Sequence, residues 1–325
     1  MPKQLRVLLA GRIHDQGMAV LRTRPDLDLV EMTGLEPEDF VAELPSADAL
    51  LIRTATLPRE ALVRADRLKV VSRHGVGYDN VPVDALTAMG IPLAVVGPVH
   101  SGSVAEHTLF LMLAAAKRAL VADRVVRSGN WAGRSQVDAI DLAGRKLLIV
   151  GFGRIGRALA RLAQALGMAV TASDPNVPVA DMRAAGVEPV ADWRAALPDA
   201  DVMSLHVPRL PETENMIGRA ELARMKPDAI LVNSSRGGIV DEAALAEALI
   251  AGRIGAAGLD VLDEEPPRRD NPLFATDRVV LSPHIAGISR EAMARLSVAA
   301  AENILAGLEG RLDPALVVNK TVLPK

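Results

Sequence analysis

Short hydrophobic runs alternate with amphipathic stretches of helical period along most of the chain. Runs of this kind indicate strands of a parallel sheet that are joined by crossover helices. The strands predicted in the first third of the chain are residues 5–9, 28–31, 49–52, 69–72 and 92–96. A second series is predicted at residues 147–150, 169–173, 201–205, 229–233, 256–261 and 278–282. The pattern therefore predicts an α/β protein with two doubly wound parallel sheets.

One helix-like stretch is much longer than the others. Residues 103–128 are rich in Ala and Leu and predict a long helix that is buried on several sides. Ser101 or Ser103 fits its N-cap, and Gly129 fits its end. Two further elements are predicted near the C-terminus, an amphipathic helix over residues 289–310 and a strand over residues 316–319 that returns to the first domain.

The sequence Gly151-Phe152-Gly153-Arg154-Ile155-Gly156 stands between the predicted strand 147–150 and a helix-like stretch at residues 157–167. A strand that turns through two close glycines into a helix presents backbone N–H groups and the positive helix end to a pyrophosphate. The third glycine lets the helix and the strand pack closely. This context predicts a Rossmann dinucleotide-binding loop.

Asp174 ends the next predicted strand, close to the spacing of about 20 residues expected for a ribose-binding acid. A carboxylate there accepts hydrogen bonds from the ribose hydroxyls and repels a 2′-phosphate. The following residues, Pro175 and Asn176, supply no compensating cation. We therefore expect the cofactor to be NAD rather than NADP. The alternative is that Asp174 only caps a turn before Pro175.

Composition narrows the class of protein. The chain has 325 residues, of which 50% are hydrophobic, and this length favours two domains. The 37 Lys and Arg against 40 Asp and Glu form no basic block, so we expect no nucleic-acid partner. The absence of cysteine excludes disulfides, thiolate metal sites and cysteine nucleophiles. The longest apolar run, residues 108–116, is too short to span a bilayer, and no signal peptide is recognisable, so we expect a cytoplasmic protein.

Three polar residues follow three successive predicted strands. Arg236 lies just beyond strand 229–233, Glu265 beyond 256–261, and His284 beyond 278–282. In a parallel α/β sheet the carboxyl ends of the strands share one edge, where ligands bind. We therefore expect a cation, a carboxylate and an imidazole to lie near the dinucleotide.

These residue types suit hydride transfer to and from a 2-hydroxy acid. His284 is the candidate base because oxidation must also remove a hydroxyl proton near neutral pH. Glu265 can bond the far ring nitrogen of His284 and fix its tautomer. Arg236 offers a planar, permanently charged fork for the substrate carboxylate and carbonyl. The alternative is that Arg236 lies in a plain turn, that Glu265 is a loop charge and that His284 is structural. The other histidines show no metal-ligand spacing, and no metal is assigned.

Three segments resemble the signatures of the D-2-hydroxyacid dehydrogenase family, close to its phosphoglycerate dehydrogenase branch. They are residues 233–241 (NSSRGGIVD), 258–266 (GLDVLDEEP) and 282–287 (SPHIAG). The resemblance implies a Rossmann NAD-binding domain, residues 100–286, inserted into a flavodoxin-like substrate domain, residues 1–99 and 287–325. It also implies the D stereochemistry and a homodimer formed through the helix that starts near Ser103.

The resemblance also implies site residues. The substrate set comprises Arg53, Arg73, Val76, Gly77, His100, Arg236 and His284. The cofactor set comprises Gly151, Gly153, Arg154, Ile155, Gly156, Asp174, His206, Pro208, Thr213, Ser234, Ser235, Arg236, Asp260, His284 and Gly287. His100 stands where the family often has Asn, which leaves the substrate open, and the direction of the reaction is open too. Because the chain ends at Lys325, we expect no regulatory domains and no control by serine.

Other activities within the same resemblance differ at single positions. Formate dehydrogenases resemble the pattern with Gln in place of Glu265, so Glu265 argues against that activity. Phosphite dehydrogenases keep a similar triad and stay an alternative. A NAD-sensing corepressor-like binding protein is the alternative from another functional class, although no partner-binding extension is visible in the sequence.

Overall fold

The computed structural model describes residues 4–323, and the chain divides into two compact units. The first unit comprises the residues up to His100 together with those from Ser289 onward, and the second spans Ser101–Ile288. A parallel sheet forms the centre of each unit. The predicted fold class, with two parallel α/β sheets, is confirmed.

The strands follow the predicted order with small shifts at their ends. They are β1 (Leu5–Ala10), β2 (Leu27–Glu31), β3 (Ala49–Ile52), β4 (Val70–Arg73), β5 (Leu93–Val95), β6 (Lys146–Val150), β7 (Ala169–Ser173), β8 (Glu188–Pro189), β9 (Val202–Leu205), β10 (Ile230–Asn233), β11 (Ala256–Leu259) and β12 (Val279–Leu281). Of these, β8 has no counterpart in the predicted series, because a pairing of two residues leaves no hydrophobic run in the sequence.

The helices connect and cover these strands. They are α1 (Asp15–Leu21), α2 (Pro37–Glu43), α3 (Arg59–Leu62), α4 (Val83–Ala88), α5 (Ser101–Ala116), α6 (Ala119–Arg127), α7 (Arg154–Ala165), α8 (Val179–Ala184), α9 (Trp193–Ala196), α10 (Arg219–Leu222), α11 (Glu242–Ile250) and α12 (Arg290–Leu308). No helix within residues 4–323 is both long enough and apolar enough to cross a membrane.

In the first unit the strand order is β2-β1-β3-β4-β5, and all pairings between these strands are parallel. Both faces of the sheet are covered: along β1, Leu8 and Ala10 pack into one hydrophobic cluster, and Val7 and Leu9 pack into another. A strand buried on both faces has no polar alternation, which explains why it reads as an unbroken hydrophobic run.

The second unit has the strand order β12-β11-β10-β9-β6-β7-β8, again parallel throughout. From β6 the chain runs outward to β7 and β8, and it then returns to β9 on the other side of β6. The strand order therefore reverses between β6 and β9. In open parallel sheets, ligands bind outside the carboxyl ends of the strands at such a reversal.

The prediction of one helix over residues 103–128 is wrong. The chain breaks after α5, because Arg118 takes the left-handed conformation (φ 51°) and interrupts the ladder of helical hydrogen bonds. The carbonyl of Ala116 instead accepts a hydrogen bond from Ile140 N at 2.9 Å. Gly129, with φ 71°, follows α6 as predicted. The partner of Ala116 lies 24 residues further along the chain, so this break has no local signal.

The segment 316–319 returns to the first unit, as predicted, but it forms an isolated antiparallel bridge between Val317 and Ala94 rather than a strand. The Asn319 side chain completes the edge, since its Oδ1 accepts from Leu93 N at 2.9 Å and its Nδ2 donates to Ile91 O at 2.9 Å. This cover satisfies the outer edge of β5. The predicted C-terminal helix is α12, with the Ser289 hydroxyl as its N-cap.

Candidate active site

The glycine loop joins β6 to α7 at the reversal of the strand order. Gly151 has φ 93°, and a Cβ there would lie 2.4 Å from the carbonyl oxygen of His206, at the end of β9. A Cβ on Gly156 would lie 2.3 Å from Gly151 O, whereas one on Gly153 would meet open space among the described residues. Gly153 therefore leaves room for a ligand at the N-terminus of α7. This geometry suits a dinucleotide pyrophosphate.

Asp174 follows β7 and holds the glycine loop. Its Oδ2 accepts a hydrogen bond from Phe152 N at 2.8 Å, and its Oδ1 accepts one from Asn176 N at 2.8 Å. The turn-capping role weighed from the sequence is therefore present. Each carboxylate oxygen has a second lone pair, so these bonds are compatible with ribose binding, which stays a prediction.

The loop after β9 carries three residues of the predicted cofactor set. The Thr213 hydroxyl donates to Pro208 O at 2.7 Å and accepts from Leu210 N at 2.8 Å, which fixes the shape of the loop. His206 Nε2 lies 2.9 Å from Ser204 Oγ, and burial lowers the pKa of His206 to about 4. The imidazole of His206 is therefore neutral near pH 7, and it brings no positive charge to the loop.

The turn after β10 carries Arg236. Asn233, the last residue of β10, accepts from Ser235 N at 3.0 Å and donates from Nδ2 to Arg236 O at 2.8 Å. The guanidinium of Arg236 is half-buried and donates from Nη1 to Ser235 O at 2.7 Å. The bonds of Arg236 O to Asn233 and of Arg236 Nη1 to Ser235 O lie within this turn, and they hold Arg236 in a defined position.

His284 and Glu265 form a hydrogen-bonded pair. His284 Nδ1 lies 2.7 Å from Glu265 Oε2, and Glu265 Oε1 accepts from Leu262 N at 3.1 Å. The carboxylate orients the ring, so Nε2 is the nitrogen that can exchange a proton with a substrate. Half of the His284 side chain is exposed. The predicted pairing of these two residues is what the structure contains.

Asp260 fixes the backbone on either side of His284. Its Oδ1 accepts from the Ser282 hydroxyl at 2.6 Å and from Ile285 N at 2.9 Å, and its Oδ2 accepts from Ala286 N at 2.8 Å. Burial alone would raise the pKa of this carboxyl, but hydrogen bonds from His107, Ser282 and the two amides hold it below its usual value. His284 itself has φ 53°, a conformation that a residue with a side chain keeps only where its surroundings enforce it.

A pocket of about 410 Å³ adjoins the His284–Glu265 pair within the second unit. Its wall is mostly apolar, with Leu262, Pro266, Phe274 and Leu281 beside the two polar groups. An apolar pocket with a few convergent polar groups is the usual form of a small-molecule site.

Asp263 was not singled out from the sequence, yet it links two of the site's turns. Its Oδ1 accepts from Gly238 N at 2.6 Å, and its own N donates to Glu242 Oε1 at 2.6 Å. Burial raises the pKa of Asp263. The run Asp263-Glu264-Glu265 offers three adjacent carboxylates, and spacing alone does not tell which one pairs with His284.

The predicted substrate residues of the first unit lie at the carboxyl edge of its own sheet. Arg53 follows β3, Arg73 ends β4, and the exposed Val76 and half-buried Gly77 lie in the loop after β4. His74 opens that loop. Burial lowers the pKa of His74 to about 4, and the charges of Arg53, Arg73 and His100 act in the same direction. Arg53, Arg73 and His100 are therefore close enough to His74 to influence its ionisation.

Comparison with known proteins identifies the family. Residues 109–286 match the family model described as D-isomer specific 2-hydroxyacid dehydrogenase, NAD binding domain. The chain belongs to the D-isomer specific 2-hydroxyacid dehydrogenases, an NAD-dependent oxidoreductase family. The matched range contains β6 to β12, the glycine loop, and the Arg236, Glu265 and His284 turns.

Individual relatives cover nearly the whole chain. It is 38% identical over 322 residues to the D-3-phosphoglycerate dehydrogenase of Methanocaldococcus jannaschii, which covers 99% of this chain and 60% of that protein. It is also 38% identical to the glyoxylate reductase of Korarchaeum cryptofilum, over 98% of this chain and 97% of that one. A solved structure of a Thermus thermophilus protein has 34% identity and a TM-score of 0.87, over 97% of this chain and 100% of that one. The chain thus spans about three fifths of the first relative's length.

Proposed function

We propose that this protein is an NAD-dependent dehydrogenase that interconverts a D-2-hydroxy acid and its 2-oxo acid. The observation that carries the proposal is the His284–Glu265 pair at 2.7 Å, located after β12 and β11 at the same sheet edge as the glycine loop. A dinucleotide loop alone supports only cofactor binding. An oriented imidazole at the same edge adds a group that can move a proton.

NAD fits the residues present, because Gly153 leaves open space at the N-terminus of α7 and Asp174 presents a carboxylate at the end of β7. Arg154 and Ile155 begin α7, so their backbone amides lie in its first turn, where a helix offers N–H groups to a pyrophosphate. When bound, the nicotinamide ring supplies the hydride acceptor or donor. The remaining requirements of the reaction fall to side chains of this protein.

His284 accepts and donates the proton. In oxidation, Nε2 takes the proton of the substrate hydroxyl, and in reduction it returns a proton to the oxygen of the 2-oxo group. Glu265 bonds Nδ1 and stabilises the protonated ring, which forms when the hydroxy acid is oxidised and supplies the proton when the oxo acid is reduced.

Arg236 binds the substrate. Its planar guanidinium suits a carboxylate and the adjacent carbonyl oxygen, on which negative charge develops during reduction. In the first unit, the amides of Val76 and Gly77 are the proposed contacts of the substrate carboxylate. Arg53, Arg73 and His100 are the proposed contacts of its distal group.

We propose an anionic distal group, as in 3-phosphoglycerate. The support is the placement of Arg53 and Arg73 at one sheet edge and the identity to phosphoglycerate dehydrogenases. Glyoxylate reductase is a relative with equal identity and fuller coverage, and its substrate has no distal group. The two substrate classes are therefore separated by experiment.

The experiment measures NADH oxidation with phosphohydroxypyruvate, hydroxypyruvate, glyoxylate, pyruvate and sulfopyruvate. We expect the highest kcat/KM with an acid that carries a distal anion. We also expect His284→Ala to lower kcat by about 100-fold or more while NADH binding stays nearly unchanged. Turnover of none of these acids by the wild-type protein would refute the dehydrogenase proposal. A preference for glyoxylate would refute the distal anion alone.

We also propose a cytoplasmic homodimer. Its support is the pair α5–α6, where Phe110, Leu120 and Val126 are 52%, 51% and 59% exposed. Exposed apolar side chains on neighbouring helices are typical of an association surface. Sedimentation should give a dimer, and Leu120→Glu with Val126→Glu should shift it toward the monomer. A wild-type monomer at micromolar concentration would contradict the proposal.

A further inference from the structure

Two adjacent residues of α5 reach two different turns of the candidate active site. His107 contacts the turn that carries His284, and Thr108 contacts the turn that carries Arg236. Both contacts lie within the second unit. Neither residue was assigned a catalytic or ligand-binding role from its position in the sequence.

The first contact runs through Ser282. His107 Nε2 lies 2.8 Å from Ser282 Oγ and 3.4 Å from Asp260 Oδ1. The single hydroxyl hydrogen of Ser282 is donated to Asp260 Oδ1, at 2.6 Å, so Ser282 Oγ accepts from His107. His107 therefore carries its proton on Nε2. Its ring also packs against Phe110, with the ring centres 5.4 Å apart.

This chain of bonds ends beside the catalytic imidazole. Ser282 lies two residues before His284, and Asp260 holds the two amides that follow His284. His284 keeps a left-handed backbone (φ 53°) between these anchors. A conformation of this kind relaxes when its anchors loosen, and the ring moves with it.

The second contact is equally direct. The Thr108 hydroxyl donates to Val104 O at 2.7 Å, so its oxygen accepts the Ser234 hydroxyl, at 2.6 Å. Thr108 is fully buried and Ser234 is 7% exposed. Ser234 lies two residues before Arg236 in the turn after β10. Thr108 thus fixes the entry of the chain into that turn.

The backbone of α5 is held firmly enough to act as a reference for both turns. It lies close over the sheet, since a Cβ on Gly258 of β11 would come within 2.9 Å of Leu111 Cβ. Eight residues of α5 are buried, among them Val104, Leu111 and Met112. Packed interiors transmit small displacements because they have few voids to absorb them.

We propose that His107 and Thr108 are positioning residues that set, from one rigid helix, the placement of the proton-transfer group and of the substrate-binding cation. The proposal rests on the dehydrogenase function proposed above. It assigns the two contacts to different steps. His107 acts through His284 on proton transfer, and Thr108 acts through Arg236 on the binding of the oxo acid.

The experiment uses isosteric pairs. His107→Leu removes the donor, and His107→Gln keeps an N–H near the same place. Thr108→Val removes the hydroxyl, and Thr108→Ser keeps it. Glu106→Gln, at an exposed position of the same helix, is the matched control. Each variant is assayed for kcat, for the KM of the oxo acid, for NADH affinity and for melting temperature.

We expect His107→Leu to lower kcat about tenfold with KM nearly unchanged, since a displaced group costs rate rather than affinity. We expect Thr108→Val chiefly to raise the KM of the oxo acid, by about tenfold, because a displaced Arg236 binds the oxo acid less tightly. The Gln and Ser variants should stay within about threefold of the wild type, and NADH affinity should change by less than about twofold in all of them.

A general packing role for α5 makes a different prediction, in which both variants change the same parameter in step with the melting temperature. That outcome overturns the proposal. Unchanged kcat and KM in both His107→Leu and Thr108→Val also overturn it. A loss of activity in His107→Gln and Thr108→Ser as large as in His107→Leu and Thr108→Val overturns it too. If His107→Leu does not fold, Ser282→Ala tests the His107 contact from its other side, with the same expected loss of kcat. If Thr108→Val does not fold, Ser234→Ala tests the Thr108 contact in the same way, with the same expected rise in the KM of the oxo acid.

A readout without turnover separates this proposal from the dehydrogenase proposal. In protein labelled at histidine, the ring signals of His284, identified by their absence in His284→Asn, should shift or broaden in His107→Leu and stay in place in Glu106→Gln. Unchanged His284 signals in His107→Leu refute the positioning role even if the wild-type protein reduces none of the acids. A wild-type protein without turnover but with the expected shifts refutes only the proposed reaction.

Discussion

The imidazole of His284, the proposed proton-transfer group, depends on one carboxylate for its orientation. Glu265 accepts from Leu262 N with one oxygen and contacts His284 Nδ1 with the other. The bond to the backbone therefore helps to hold the carboxylate in place beside the histidine. Its neighbour Glu264 is exposed as well, and the hydrogen bonds to Leu262 N and His284 are made by Glu265, so Glu264 serves as a comparison. Two adjacent glutamates thus differ in their surroundings rather than in their chemistry.

We predict that Glu265→Gln lowers kcat by at least about tenfold, because the single oxygen of an amide cannot accept from both Leu262 N and His284 Nδ1, and an amide does not stabilise the protonated ring. Glu264→Gln should keep wild-type kcat. Steady-state kinetics with the best acid of the panel measures both. Equal kcat values for the two variants would show that the hydrogen bond to His284 has no part in turnover.

Asp174 has two tasks that a substitution must separate. Its oxygens hold Phe152 N and Asn176 N, so Asp174→Ala disturbs the glycine loop as well as the proposed ribose contact. Asp174→Asn keeps one acceptor and removes the charge. We expect Asp174→Asn to raise the ratio of NADPH to NADH affinity by about tenfold, since the repulsion of a 2′-phosphate is lost. Titration with both cofactors measures this ratio, and an unchanged ratio would mean that another residue sets the preference.

Among the turns, the glycine loop shows how a strand-to-helix connection is constrained by its neighbours. Gly151 combines a positive φ with a close approach to His206 O, whereas Gly144, in the turn before β6, has φ 78° and open space around it among the described residues. The two glycines therefore differ in crowding rather than in backbone conformation.

We predict that Gly151→Ala weakens NADH binding by about tenfold or more, because the backbone at His206 must move to admit a methyl group. Gly144→Ala should cost roughly 1–2 kcal/mol of stability from its left-handed backbone, with NADH affinity unchanged. Fluorescence titration of NADH and thermal unfolding of both variants provide the comparison. Equal affinities would show that the loop tolerates the methyl group.

At the level of helices and strands, local pattern predicted well wherever burial is uniform. Strand β3 matches its predicted residues, 49–52, because a strand covered on both faces consists of hydrophobic residues alone. The prediction of one helix over residues 103–128 was wrong, because Ala-rich sequence is compatible with one helix or with two. The first helix ends where the carbonyl of Ala116 accepts a hydrogen bond from Ile140 N.

For the folded protein as a whole, we expect the buried histidines to lower the free energy of unfolding at acidic pH. His74 is 3% exposed, and its Nε2 lies 2.8 Å from Ser297 Oγ of α12. Burial, aided by Arg53, lowers its pKa to about 4. An unfolded chain binds this proton below about pH 6.5, while the folded protein does not bind it until about pH 4. The contribution of His74 to stability is therefore complete above pH 6.5 and is lost as the pH falls toward 4.

We predict that the free energy of unfolding falls by about 3 kcal/mol over this range through His74 alone, with His206 acting in the same direction. Urea unfolding between pH 7 and pH 4.5 should show a shallower pH dependence in His74→Gln than in the wild type. Parallel curves for the two proteins would mean that His74 already titrates normally in the folded state.

The sequence by itself determined the two parallel sheets, the dinucleotide loop and the three turns that carry Arg236, Glu265 and His284. These features depend on local properties, namely hydrophobic burial, glycine conformation and the end of a strand. The tertiary structure alone decided that Asp260 holds the His284 backbone and that His107 and Thr108 brace two turns. Those contacts join segments more than 20 residues apart, and hydrogen bonds over such separations leave no periodic trace in the chain.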